Sequence, residues 1–137
     1  IAAAVSALND WLDQTALETG IGPDRTVLVG FSQGTMMALH VAPRRAQPLA
    51  RVVGFSGRLL APEHLAGAVT SRPPMLLIHG DQDQVVPPES TPQAAEALRA
   101  AGFDVDTHVS KGMAHGIAPD GLGLALQFIQ RVLPAAE

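Results

Sequence analysis

Short runs of apolar and β-branched residues alternate with helix-like segments, and this alternation constrains the fold more than any other feature of the chain. The three most apolar runs are TVLVGF at 26–31, LARVVGFSG at 49–57 and PPMLLIHG at 73–80. Runs with no polar alternation are typical of strands buried on both faces of a parallel sheet. We therefore predict an α/β fold, a mostly parallel sheet flanked by helices.

Helix-like segments lie before and between these runs. In the first segment the apolar residues recur at roughly helical spacing, which predicts a helix that ends at the turn GIGPD, 20–24. These residues are Val5, Leu8, Trp11, Leu12 and Leu17. A second helix is predicted over 33–41, ending before Pro43, and a short third helix over 62–68.

The last part of the chain adds two more helices and a strand. Ser90 or Thr91 can cap a helix that Gly102 closes. Residues 103–109 alternate apolar and polar, as in an edge strand. A final amphipathic helix is predicted over 122–133. Its apolar positions are Leu122, Leu126, Phe128, Ile129 and Val132.

Composition narrows the functional classes. A length of 137 residues fits one domain, taken as 1–137, and a net charge of −4 offers no basic face for nucleic acid. The absence of cysteine excludes a disulfide, a thiolate metal site and thiol catalysis within these residues. The longest apolar runs are too short to span a bilayer. We expect a soluble, cytoplasmic protein without stable membrane insertion.

A G-x-S-x-G sequence follows the first predicted strand at 30–34 and opens the next helix. A sharp turn there would expose the Ser32 hydroxyl, and glycines on either side would let strand and helix approach closely. The backbone N–H of Gln33 would face an oxyanion. The alternative is that Ser32 is an ordinary N-cap in a strand-to-helix turn.

A serine nucleophile needs a base, and the base needs a carboxylate that orients it. The loop after the third strand, HGDQDQVVP, carries Asp81 and Asp83. Asp83 lies further from the strand and is the better candidate, whereas Asp81 is expected to shape the turn. Both could instead be loop-capping aspartates.

Five histidines compete for the role of base. His40 lies two helical turns beyond the serine, and His64 belongs to the short helix. His79 ends an apolar strand, where we expect a hydrogen-bonded structural role, and His108 lies within the last strand. Only His115 occupies the loop between the last strand and the last helix, although it could also be a plain surface histidine.

The candidate nucleophile, acid and base therefore follow one another as Ser32, Asp83 and His115, each beyond the end of a different strand. This chain order is the one expected of α/β-hydrolases. No cluster of histidines and carboxylates has the spacing of metal ligands, so we expect neither a metal nor a cofactor.

Four blocks, GFSQGTMMAL, GFSGRLL, HGDQDQVVP and GMAHGI, resemble successive blocks of the bacterial phospholipase/carboxylesterase family of α/β-hydrolases, which is related to the acyl-protein thioesterases. The resemblance covers essentially the whole chain. It implies Ser32 as nucleophile, His115 as general base and acid, Asp83 as the orienting carboxylate and Gln33 as an oxyanion-hole donor. It also implies substrate neighbours at Ser56, Gly57, Leu59, Val85, Val86 and Met113.

Two departures from the family pattern stand out. Thr35 replaces a glycine found in many relatives, and we expect it to add only a side chain near the start of the helix. The family also has a strand and an H-G-x-G-type loop before its nucleophile, which supplies a second oxyanion-hole N–H. No such loop precedes Ser32, so we expect this chain to be the carboxyl-terminal part of the fold, with one sheet edge left uncovered.

The sequence favours a serine carboxylesterase that hydrolyses esters of short-to-medium acyl chains through an acyl-enzyme. An acyl-protein thioesterase or lysophospholipase using the same three residues stays open. A non-catalytic α/β-hydrolase-like binding module is the alternative from another class. The expected partner is a small ester substrate, and the resemblance allows a homodimer without identifying an interface.

Overall fold

The computed structural model of the chain describes residues 2–132. Its four strands form one sheet in the order β1-β2-β3-β4, and every neighbouring pair is parallel. The strands are β1 (Val27–Phe31), β2 (Arg51–Phe55), β3 (Met75–Gly80) and β4 (Val105–Ser110). The predicted parallel sheet is therefore confirmed.

Helices cover both faces of this sheet. They are α1 (Ala2–Thr19), α2 (Gln33–Val41), α3 (Ser90–Ala100) and α4 (Pro119–Gln130). One core joins α2 and α3 to the sheet, and a second, smaller core joins α4 to the opposite face. Helix α1 packs beside α2. None of the helices within 2–132 is long and apolar enough to cross a membrane.

The strand register brings the carboxyl ends of the strands to one edge of the sheet. Phe31 at the end of β1 pairs with Phe55 at the end of β2, and Gly80 of β3 pairs with Ser110 of β4. The loops after these strands therefore meet at the same edge, which is where parallel sheets place their ligand sites.

Strand β1 is less buried than its sequence predicts. The strands β2 and β3 lie inside the sheet and are almost wholly buried, as expected. In β1, however, Val29 is 51% exposed and Phe31 is 40% exposed. The reason is that β1 is an edge strand, and no other described segment covers this part of it. The uncovered edge expected from the family pattern is thus present among residues 2–132.

The two outer helices, α1 and α4, bury few of their large apolar residues. In α1 only Leu12 is buried, while Trp11 and Leu17 are exposed, because this helix contacts the rest of the chain mainly through α2. In α4 the buried residues are Gly121, Ala125 and Phe128, and the partly buried Ile129 packs against the same core, so two of the predicted apolar positions, Phe128 and Ile129, face the sheet.

The predicted apolar face of α4 was therefore partly wrong. Leu122 and Leu126 are about half exposed, and they lie one position away from the residues that contact the sheet. Small residues form the contact because α4 approaches closely: a Cβ on Gly121 would come within 2.9 Å of the Ile78 side chain. The predicted helix end at Leu133 lies outside the described residues.

Two details of the predicted helices differ in the structure. The segment 62–68 forms only a single 3₁₀ turn, Pro62–His64, because so short a segment gains few hydrogen bonds for the cost of nucleation. Ser90 and Thr91 do not cap α3: Glu89 is the N-cap, and both hydroxyl residues are buried within the first turn. Gly102, with φ of 93°, closes the helix as predicted.

Candidate active site

Ser32 stands at the sharp turn between β1 and α2, where its backbone is strained. Its φ of 54° and ψ of −114° are unusual for a residue with a side chain. Ser32 occupies the N-cap position, but its hydroxyl makes no capping hydrogen bond. The N-cap alternative therefore does not describe this side chain, which points out of the turn.

The two glycines of the G-x-S-x-G sequence have different environments. A Cβ on Gly30 would come within 2.6 Å of the backbone of Gly34 and Thr35, so only glycine lets strand and helix cross there. A Cβ on Gly34 would have nothing within 4 Å. The prediction of close approach on both sides of the serine was correct for Gly30 and wrong for Gly34.

His115 connects the serine to the carboxylate. Its Nε2 is 2.9 Å from the Ser32 hydroxyl and its Nδ1 is 2.7 Å from Oδ2 of Asp83. The carboxylate can only accept, so these partners assign the imidazole proton to Nδ1 and leave Nε2 free to accept from the serine. The Phe31 ring lies beside the imidazole, with 5.0 Å between centroids.

The carboxylate of Asp83 is fully buried and held from several directions. Its Oδ1 accepts hydrogen bonds from the backbone N–H groups of Val85 and Val86, at 2.8 and 2.9 Å. Burial by itself would raise the pKa of Asp83. The hydrogen bonds from His115, Val86 and Val85, with the attraction of the imidazole, outweigh burial and hold that pKa below its usual value.

The loops that carry the acid and the base are fastened to each other. The carboxylate of Asp81 accepts a 2.7 Å hydrogen bond from the N–H of Gly112, so it holds the opposite loop rather than only its own turn. The N–H of Gln82 donates to the carbonyl of Met113 at 3.0 Å. A Cβ on Gly80 would come within 2.2 Å of that same carbonyl oxygen, so this close contact requires glycine.

Thr35 has a larger role than its sequence position predicted. Its side chain is buried and donates a 2.7 Å hydrogen bond to the Phe55 carbonyl, which also accepts the N–H of Ser32 at 2.9 Å. Thr35 also fills the space beside Gly54 and Gly57, where a Cβ would come within 2.6 Å of it. It therefore joins the serine turn to the end of β2, and no pattern in the sequence indicated this.

The remaining histidines do not contact the serine. His40 lies in α2, where burial and the nearby charge of Arg44 lower its pKa. His64 is exposed, and His108 pairs with Asp120 at 2.6 Å on the surface. His79 is buried close to Asp83. Within 2–132, no group of three or more histidine or acidic side chains is placed to hold a metal ion.

A cavity of about 250 Å³ opens beside the serine. It is lined by Ser32, Gln33, Met36, Arg58, Val85, Val86 and Pro87. Arg58 and Pro87 also line a second cavity, of about 650 Å³, which includes Leu59. Of the predicted substrate neighbours, Val85 and Val86 line the first cavity and Leu59 the second.

The other predicted substrate neighbours line neither cavity, although a Cβ on Gly57 would come within 3.1 Å of the Ser32 carbonyl oxygen. Ser56 and Gly57 are buried, and Ser56 donates a hydrogen bond of 3.4 Å to the carbonyl of Gly116. Met113 contributes its backbone to the contact between the acid and base loops. Met36 and Pro87 were not identified as cavity residues from the sequence. Which way a side chain in a helix or loop points depends on how the chain folds, and no local sequence pattern indicates it.

Gln33 is the first residue of α2, so its backbone N–H has no partner within the helix. The N-terminal end of a helix also carries a partial positive charge. The group therefore lies where negative charge that develops next to Ser32 could be stabilised. In such an arrangement a serine hydroxyl can attack a carbonyl carbon while the imidazole takes its proton.

A parallel sheet flanked by helices, with a serine, a histidine and an aspartate joined at its carboxyl edge, is the architecture of an α/β-hydrolase. The chain belongs to the phospholipase/carboxylesterase family, whose model matches residues 1–133.

Individual relatives agree with this assignment. Esterase PE8, known from a crystal structure, is 44% identical to this chain and superposes on it with a TM-score of 0.94. The match covers 96% of this chain and 61% of the PE8 chain. Acyl-protein thioesterase 1 of Gibberella zeae is 34% identical, over 90% of this chain and 54% of its own. Esterase YpfH of Escherichia coli K12 is 32% identical, over 85% of this chain and 49% of its own. The chain thus spans about half the length of these two curated relatives.

Proposed function

We propose that the natural protein is a serine carboxylesterase in which Ser32 is the nucleophile, His115 the general base and acid, and Asp83 the carboxylate that orients the imidazole. The observation that carries this proposal is the continuous series of short hydrogen bonds from Ser32 through His115 to Asp83. We also propose that residues 1–137 belong to one α/β-hydrolase domain.

In the first half of the reaction, Ser32 Oγ forms a bond to the ester carbonyl carbon as its proton passes to Nε2 of His115. The carbonyl π electrons move onto oxygen, and the N–H of Gln33 donates to that oxyanion. The tetrahedral intermediate collapses, the carbon–oxygen bond to the alcohol breaks, and the imidazolium gives the leaving oxygen its proton. An acyl-enzyme remains on Ser32.

In the second half, a water molecule gives a proton to Nε2 of His115 as its oxygen attacks the acyl carbon. Collapse of the second intermediate breaks the bond to Ser32 and returns the proton to Oγ. The acid is released, and the chain regains its starting state. Asp83 keeps the proton on Nδ1 throughout and stabilises the imidazolium of both intermediates. We propose that an H-G-x-G-type loop of the family supplies the second oxyanion donor.

The cavity beside Ser32 supports acyl groups of short-to-medium length as substrates. Its volume of about 250 Å³ has apolar walls at Met36, Val85 and Pro87. Val85 is 68% exposed, so an acyl chain would cover apolar surface that water contacts in the free protein.

Thioester hydrolysis is the second candidate, because the relative from Gibberella zeae is an acyl-protein thioesterase. The same three residues would attack a thioester carbonyl, with a thiol in place of the alcohol as leaving group. Comparing turnover of an alkyl ester and the corresponding thioester tests this candidate. We further propose that the protein is cytoplasmic and acts on small ester substrates. We also propose that it can form a homodimer, which sedimentation tests.

The test of the main proposal is hydrolysis of p-nitrophenyl butyrate by the full natural protein and its Ser32→Ala variant. We expect Ser32→Ala to lose turnover by at least about a thousand-fold. Ser71→Ala is the matched control, because Ser71 is also buried but donates to the Ala42 carbonyl, away from this site. Equal turnover in Ser32→Ala and the natural protein would contradict the proposal.

A further inference from the structure

His79 is buried in β3, with only 1% of its surface exposed, and each of its ring nitrogens has a partner. Nε2 lies 2.9 Å from the carbonyl oxygen of Val86, and Nδ1 lies 2.8 Å from the hydroxyl of Thr91. The Val86 carbonyl can only accept, so the proton of a neutral His79 is on Nε2. Nδ1 then accepts from the Thr91 hydroxyl.

The same Nε2 atom lies beside the candidate acid. It is 3.2 Å from Oδ2 of Asp83, the oxygen that accepts Nδ1–H of His115 at 2.7 Å, but its hydrogen bond is made to the Val86 carbonyl. His79 therefore donates through Nε2 to the loop that carries Asp83, whereas His115 donates through Nδ1 to Asp83 itself.

A buried carboxylate depends on its hydrogen-bond donors, since an unpaired carboxylate is costly in an apolar interior. Oδ1 of Asp83 accepts from the N–H groups of Val85 and Val86, and Oδ2 accepts from His115. Val86 is itself held by His79, because its carbonyl accepts from Nε2–H of His79 while its N–H donates to Asp83. His79 is thus bonded to a residue that orients the Asp83 carboxylate.

We propose that His79 is a positioning residue of this site: its Nε2–H group, oriented by the Thr91 hydroxyl, holds the Val86 carbonyl and with it the loop whose N–H groups keep the Asp83 carboxylate aimed at His115. The inference rests on the proposed function of the three site residues. It extends the hydrogen-bonded series by three residues, from Ser32 through His115 and Asp83 to Val86, His79 and Thr91 in the first turn of α3. The buried position of Thr91 thereby acquires a role that capping does not explain.

Two substitutions of His79 separate positioning from mere filling of space. In His79→Gln the amide nitrogen can lie close to the position of Nε2, so the donor to the Val86 carbonyl is retained. In His79→Asn the shorter side chain reaches only the position of Nδ1 and leaves the Val86 carbonyl without its donor. Both variants are polar and smaller in volume than histidine, so they serve as controls for each other.

The experiment measures kcat and KM for p-nitrophenyl butyrate in the full natural protein, with thermal unfolding to verify that each variant folds. We expect His79→Asn to lower kcat roughly ten- to a hundred-fold with little change in KM, because a small misplacement of catalytic groups affects chemistry more than binding. His79→Gln should retain most of kcat. Thr91→Val should lie between them, and Ser71→Ala should match the natural protein.

Equal kcat values for folded His79→Asn and His79→Gln would overturn the positioning role. The proposed function is judged separately: it is retained as long as the natural protein is active and its Ser32→Ala variant is inactive. If neither His79 variant folds, Thr91→Val decides: an unchanged kcat overturns the proposal. If the natural protein has no esterase or thioesterase activity, and no serine probe labels it, both proposals fall together.

Discussion

The hydroxyl of Thr35 donates a 2.7 Å hydrogen bond to the carbonyl oxygen of Phe55, which ties the first turn of α2 to the end of β2. The same carbonyl accepts the N–H of Ser32. The strained turn that presents the serine is thus held from the neighbouring strand as well as by its own backbone.

Replacing Thr35 by valine should weaken this attachment. We expect a loss of about 1 kcal/mol in the free energy of unfolding, the typical net value of one buried hydrogen bond, because Phe55 keeps its bond from Ser32. Urea unfolding measures the change, and kcat should fall with it because the serine turn is less firmly held. The control is Thr107→Val on the exposed face of β4, for which we expect less than about 0.5 kcal/mol. Equal effects of the two substitutions would show that the Thr35 bond does not contribute.

The glycines of the serine turn should respond in opposite ways to alanine. Gly30→Ala forces a methyl group against the backbone of Gly34 and Thr35, and we expect a loss of about 2 kcal/mol or more. Gly34→Ala places its methyl group in open space and replaces a helical glycine, which should leave stability unchanged or raise it by about 0.5 kcal/mol. Thermal unfolding of the two variants makes the comparison. A larger loss of stability in Gly34→Ala than in Gly30→Ala would contradict the assignment of Gly30 as the residue where strand and helix cross.

Asp83 should make stability depend on acidity. Its pKa is lower in the folded chain than in the unfolded one, where it is about 3.9 for an aspartate. The ionised carboxylate therefore contributes its full stabilisation at pH values above the unfolded pKa. This stabilisation is lost as the pH falls through the lower pKa of the folded chain. The natural protein should accordingly lose its advantage in unfolding free energy over Asp83→Asn as the pH is lowered from about 5. A difference independent of pH over that interval would contradict the shift.

The same substitution should also remove most of the activity. An asparagine can present its N–H₂ group to His115, which favours the tautomer with the proton on Nε2 and prevents that nitrogen from accepting the serine proton. We expect kcat to fall by roughly a thousand- to ten-thousand-fold. Asp81→Asn is the matched control, because Asp81 holds the Gly112 loop without touching the imidazole. A kcat for Asp83→Asn within tenfold of the Asp81→Asn value would contradict the orienting role.

The acyl cavity makes a prediction about chain length. Each methylene that the apolar wall removes from water contributes up to about 0.8 kcal/mol, so kcat/KM should rise from acetate to butyrate to hexanoate esters by up to about fourfold per carbon. Val85→Asp places a charge on that wall and should flatten the rise, since acyl chains would then contact a hydrated carboxylate. Acetate should be affected least. An unchanged chain-length dependence in Val85→Asp would place the acyl group elsewhere.

Much of the site could be predicted because its parts follow strands in a regular way. The apolar runs located β1, β2 and β3, and the parallel order then put the residues after each strand at one edge of the sheet. The chain order of Ser32, Asp83 and His115 needed no knowledge of side-chain packing, and the structure brings these three into hydrogen-bonding distance.

The errors arise where neighbours decide the outcome. The leucines of α4 have helical spacing, yet Gly121 and Ala125 lie against the sheet in their place, beside Phe128, because the closest approach selects small side chains. Thr91 resembles a capping residue in sequence, but its hydroxyl contacts His79, which lies twelve residues earlier in the chain. Such contacts depend on how α3 packs against β3, which no local pattern encodes.

A non-catalytic binding module would need fewer of the observed features than an enzyme. Binding alone would not require a strained serine turn, a fully buried carboxylate and an imidazole held between them. A reagent that reacts only with an activated serine distinguishes the two possibilities without requiring knowledge of the natural substrate.

The central claim is that Ser32 is an activated nucleophile, and covalent labelling tests it most directly. The full natural protein is treated with a fluorophosphonate, digested and analysed by mass spectrometry. We predict one adduct, on the peptide that contains Ser32, and its loss in both Ser32→Ala and His115→Ala but not in Ser71→Ala. No adduct on the natural protein, or one that persists in Ser32→Ala, would contradict the account.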